Sequence, residues 1–76
     1  MKRSITLYGH RTSVSLEAPF WDALRDISAA EGTTATKIIA RIDAERNEGD
    51  NLSSAIRVFV LAHFRERAEA SEKSSV

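Results

Sequence analysis

The chain contains no cysteine. That excludes disulfide stapling, a thiolate metal cluster and a thiol nucleophile. Long hydrophobic runs are missing too: nothing approaches the ~18 consecutive apolar residues of a membrane span, so no membrane partner is expected. Lys2 and Arg3 are followed by Gly9, His10 and Arg11 before any hydrophobic region develops. A signal peptide is therefore not expected, and a cytoplasmic location is the default. Histidines number two, His10 and His63, far apart and in unlike settings. No glycine-rich phosphate loop, zinc-ligand pair or nucleophile elbow occurs, and the paired serines at 53–54 and 74–75 have no histidine at a useful spacing. The sequence thus offers no catalytic constellation and implies no cofactor or metal; the protein is read as a non-enzyme.

Excess charge of either sign is also lacking, with 11 basic and 11 acidic residues. Their distribution is uneven. Up to Leu16 the chain carries Lys2, Arg3 and Arg11 and no acid, whereas from Glu17 onward eight basic residues face eleven acidic ones. A dimer joining two such N-termini would double the positive charge on one face, the footprint of a polyanion partner. Seventy-six residues, 42% of them apolar, make one domain near the lower limit for a self-sufficient core, and oligomerisation is the usual source of additional burial.

What is present is periodicity. Ser4-Ile5-Thr6-Leu7-Tyr8 alternates polar and apolar residues, Gly9-His10 interrupts, and the alternation resumes from Arg11 to Glu17. Thr12, Val14 and Leu16 fall on one side of that strand, with Arg11, Ser13, Ser15 and Glu17 on the other. The rest reads as helix. A first helix, about 19–31, opens at Pro19, places Phe20, Ala23, Leu24, Ile27 and Ala30 on its apolar face with Trp21 flanking, and ends at Gly32. A second helix, about 34–47, can be capped by Thr34 or Thr36 and buries Ile38, Ile39 and Ile42. Asn47-Glu48-Gly49-Asp50 is a break. A third helix, about 52–67, has a stripe of Leu52, Ile56, Phe59, Val60, His63 and Phe64, while Val58, Leu61 and Ala62 spread apolar surface further round it. His63 is read as a packed histidine, and Trp21 and the phenylalanines as core or dimer interface. The domain is expected over residues 1–68, followed by a disordered tail at 69–76.

One strand among three helices leaves backbone groups unpaired. Either Ser4–Tyr8 folds back on Arg11–Leu16 around Gly9, or the strand pairs with its counterpart in a second chain. The short connection makes the hairpin strained. The intermolecular ribbon supplies both the missing strand and the missing core, so it is the preferred reading.

The alternating strand followed by two helices, the second opening Gly-Thr-Thr-Ala-Thr-Lys, resembles the ribbon-helix-helix fold of the Arc/MetJ class. Gly9-His10-Arg11-Thr12-Ser13-Val14-Ser15-Leu16-Glu17 with Phe20-Trp21, and the later Asn51-Leu52-Ser53-Ser54-Ala55-Ile56-Arg57-Val58-Phe59-Val60-Leu61, resemble one bacterial branch of it. The resemblance covers roughly Lys2 to Phe64. It implies a mainly α fold with one short N-terminal strand, forming an intertwined homodimer whose antiparallel ribbon lies in the DNA major groove. Helix three is an addition to the usual strand and two helices.

Carried onto this sequence, the resemblance assigns base contact to Arg11, Ser13 and Ser15 and phosphate contact to Thr34, Ala35, Thr36 and Lys37 at the second helix start. Lys2 and Arg3, with His10, would follow the DNA backbone as a flexible arm. Leu52-Ser53-Ser54-Ala55-Ile56-Arg57 echoes Thr34-Ala35-Thr36-Lys37-Ile38-Ile39, so either could be the phosphate-binding helix start. The earlier is preferred because only a segment of first-helix length separates it from the strand. The implied function is a dimeric, sequence-specific transcriptional regulator, a repressor by analogy, on double-stranded DNA, or a higher-order array on a longer operator. The alternative is a dimeric protein-interaction module, an antitoxin or adaptor, with reduced DNA binding and a protein partner. Zero net charge and the apolar third helix favour that alternative.

Overall fold

Two strands joined by a two-residue turn open the chain. A computed structural model describes residues 2–74, with side chains as far as residue 70. Strand β1 (Lys2–Leu7) pairs antiparallel with β2 (His10–Ser15). At the turn, Tyr8 and Gly9 both take positive φ, 52° and 80°. That is the requirement of a type I′ turn, whose twist matches that of the flanking strands. Three helices follow: α1 (Ala18–Glu31), α2 (Ala35–Glu45) and α3 (Leu52–Ser74).

The hairpin corrects the expectation of one strand paired only across a dimer. The connection from Leu7 to His10 is short, but it is not prohibitive, because Tyr8 adopts the left-handed conformation and its hydroxyl donates to the Ala40 carbonyl of α2 at 2.9 Å. Lys2 and Arg3 are therefore strand residues and not a flexible arm, and His10 pairs with Leu7.

Each helix begins and ends for an identifiable reason. Pro19 sits in the first turn of α1, where its missing amide costs nothing. Gly32, at φ 69°, closes α1 in the left-handed conformation. Thr34 caps α2, its hydroxyl accepting from the Lys37 amide at 3.2 Å. Asn51 does the same for α3, accepting from the Ser54 amide at 3.1 Å. The third helix continues past its expected end near residue 67, so the expected tail from residue 69 is helical as far as Ser74. Ala68, Glu69 and Ala70 at the expected end are strong helix formers. Residues 75 and 76 of that expected tail lie outside the described residues.

Among the described residues a single cluster forms the core. Leu7, Val14 and Leu16 from the hairpin side meet Trp21, Leu24 and Ile27 of α1, Ile38, Ile39 and Ile42 of α2, and Ile56 and Val60 of α3. The buried face of α1 is rotated from the expected one: Trp21 and Ser28 are inside while Ala30 is exposed. Trp21 contributes more apolar area than Ala30 could, and the larger side chain decides the facing. Ser28 is accommodated because its hydroxyl donates to the Arg25 carbonyl at 2.8 Å. On α3, Val58 and Leu61 remain 66% and 58% exposed, uncovered by their own chain. No helix among the described residues is long and apolar enough to cross a membrane.

Candidate nucleic-acid interface

Alternation in both strands sorts the hairpin into two faces. The register sets Lys2 opposite Ser15, Ser4 opposite Ser13 and Thr6 opposite Arg11, and all six residues are exposed. The other face holds Ile5, Leu7, Thr12 and Val14, buried or half-buried against the helices. Because cross-strand partners share a face, these six paired positions make a two-stranded patch of two cations and four hydroxyls; Glu17, expected on the same side, lies beyond the end of β2 with its carboxylate held by Arg57. Arg11, Ser13 and Ser15, the expected base-contacting residues, lie on it together.

Lys2, Ser4 and Thr6 on the same patch follow only from the hairpin. The signal for them was present: polar residues alternate with Ile5 and Leu7, and Tyr8-Gly9 is a two-residue spacer with glycine second, a recognised hairpin pattern. A tyrosine at the first turn position obscured it, because side chains other than Asn, Asp and Gly seldom accept positive φ.

A second feature lies at the start of α2. A depression there is lined by Arg3, Ser4, Arg25, Thr34, Ala35 and Thr36, with Trp21 and Ile39 also among its lining residues. Thr34 satisfies the Lys37 amide, and Ile38 makes the first helical bond to the Thr34 carbonyl. The amides of Ala35 and Thr36 thus belong to the unpaired first turn, at the positive end of the helix dipole. Arg3 reaches the spot from β1, with its guanidinium 5.0 Å from the centre of the Trp21 ring. Arg25 comes from α1, in an exposed pair 3.6 Å from Asp22. The structure therefore unites four of the expected phosphate-contacting residues, Arg3, Thr34, Ala35 and Thr36, around one anion-favouring depression. Lys37 is exposed on α2 outside it, and Lys2 stands on the ribbon face.

No grouping among the described residues could hold a metal ion. His63 is half-buried between two aromatic rings, its ring centre 6.4 Å from that of Phe59 and 5.2 Å from that of Phe64.

Comparison with known proteins adds two findings. The family model for the ribbon-helix-helix domain matches residues 1–64. Among solved structures, an uncharacterized protein from Bordetella pertussis Tohama I is 39% identical with a TM-score of 0.81, over 92% of this chain and 59% of that one. The chain thus spans 59% of the length of that protein. No curated protein matches.

Proposed function

The chain belongs to the ribbon-helix-helix domain family, and from that premise we propose that it is a homodimeric, sequence-specific DNA-binding regulator of transcription. The observation that carries the reading is the exposure of Arg11, Ser13 and Ser15 on one strand face, with Lys2, Ser4 and Thr6 paired beside them. Arg11 can donate two hydrogen bonds to guanine O6 and N7, and the serine hydroxyls can donate or accept at several base edges, each bidentate pair discriminating by about 1–3 kcal/mol.

Backbone geometry supports the dimer. Hydrogen-bonded and non-bonded pairs alternate along an antiparallel ladder, and Leu7–His10 closes the turn. Thr12 and Val14 therefore turn their peptide groups toward β1, while those of Arg11, Ser13 and Ser15 point to the open edge of β2. An open strand edge is a template for a second strand, and pairing of β2 with its counterpart in a second copy gives the ribbon that enters the groove. The depression at the start of α2, with Arg3 beside the Ala35 and Thr36 amides, suits a phosphate on the groove wall.

A second reading, a dimeric module that contacts another protein, is favoured by the exposure of Val58 and Leu61. Arg11→Ala separates the two. Under the regulator reading this variant stays folded and loses about tenfold or more in affinity for a duplex selected from a random pool. Unchanged affinity and base preference would refute the assignment of the ribbon.

A further inference from the structure

Resting on that reading, we infer that β1 is a second DNA-contacting line, in which Lys2, Ser4 and Thr6 hold the sugar-phosphate walls of the groove whose floor β2 reads. The register places these three residues on the outer face beside Ser15, Ser13 and Arg11, and all are exposed. Neighbouring strands are about 4.8 Å apart, so with β2 and its symmetry mate either side of a twofold axis, β1 runs about 7 Å from that axis. The major groove is about 12 Å wide, so its walls begin about 6 Å from the centre. Side chains from β1 therefore meet phosphates and sugars, whereas those of β2 meet base edges.

The residue types match these two positions. The long arginine on the face is on the inner strand, where reach to base edges is needed. The outer strand carries short hydroxyls, which let a wall approach closely and donate to phosphate oxygens, and one ammonium. Ser4 also borders the depression formed with Arg3, Thr34 and Thr36. The β1 line is therefore continuous with the anion-favouring start of α2. Each chain would grip one wall from two adjoining elements.

The test uses the full chain and two probes: a duplex selected from a random pool with the unaltered protein, and a random-sequence duplex. Ser4→Ala with Thr6→Val removes both hydroxyls while keeping a branched side chain in the strand. A loss of about tenfold, by the same factor on both duplexes, is expected, because phosphate contacts carry no base information. Lys2→Ala should lower the slope of log affinity against log salt by about 0.9 per protomer. If Arg11→Ala impairs binding but the Ser4/Thr6 and Lys2 variants change nothing, the inference about β1 fails and the regulator reading stands. A changed base preference in the Ser4/Thr6 variant would also overturn the inference, since β1 would then reach the floor. No effect from Arg11→Ala would remove the reading on which it rests.

Discussion

Arg57 grips Glu17 through two parallel hydrogen bonds, Nε to Oε1 at 2.8 Å and Nη2 to Oε2 at 3.0 Å. The pair joins α3 to the junction between β2 and α1, and the Arg57 guanidinium also lies 5.9 Å from the Phe20 ring centre. The planar fork of arginine suits this bidentate geometry, which lysine cannot reproduce. The contact orients α3 against the segment that leads from the ribbon into the helices.

Acid sensitivity follows from that pair. The hydrogen bond from Arg57 is the main cause of a Glu17 carboxyl held below its ordinary value. A depressed carboxylate contributes stability that is present above its unfolded-state pKa and lost as pH falls through the folded-state value. Urea unfolding at a series of acidic pH values should therefore show a flatter decline for Glu17→Gln than for the unaltered chain. Because the pair is exposed, its effect at neutral pH should be small and salt-sensitive. A double-mutant cycle with Arg57→Lys would show whether the fork geometry, and not charge alone, carries it.

The turn should be sensitive at Gly9. At φ 80° with open space around a built Cβ, Gly9→Ala meets no clash and suffers only the left-handed backbone penalty, about 1–2 kcal/mol. Tyr8→Phe keeps the ring but removes the donor to the Ala40 carbonyl, and should cost about 1 kcal/mol. Thermal unfolding of both variants checks these values.

Core truncation should be severe in a chain this small. Leu24 is fully buried at the centre of the cluster, and Leu24→Ala should cost about 2–5 kcal/mol. Circular dichroism melts should show a strongly lowered midpoint or an unfolded chain.

Dimerisation through the open edge of β2 has a specific test. Light scattering at micromolar concentration should give twice the 8.4 kDa chain mass. Ser13→Pro removes an amide that faces the open edge and not β1, a position where a strand tolerates proline. It should yield a monomer that keeps its helical signal. A monodisperse monomer from the unaltered chain would remove the intermolecular ribbon.

Much of this architecture is legible in the residues themselves. Alternation from Arg11 to Leu16 identifies the exposed and buried faces of β2, and Thr34 and Gly32 mark helix ends through their ordinary capping chemistry. Isoleucines 38, 39 and 42 announce the buried face of α2. Other parts depend on tertiary context. The hairpin rests on a left-handed tyrosine that hydrogen bonds to a helix 32 residues away, and no local propensity foretells that. The facing of α1 turned on Trp21, whose bulk outweighs the regular spacing through Ala30. The gathering of Arg3 with Thr34, Ala35 and Thr36 became visible only once β1 lay beside α2, because these residues are about thirty positions apart in the chain.

Selection from a random duplex pool with the purified chain, at low and then near-physiological salt, tests the central claim most directly. A sequence-reading homodimer predicts enrichment of a twofold-symmetric motif that survives the higher salt and is weakened or altered by Arg11→Ala. Binding that vanishes with salt and enriches no sequence would leave only backbone attraction, contradicting the assignment of base reading to Arg11, Ser13 and Ser15.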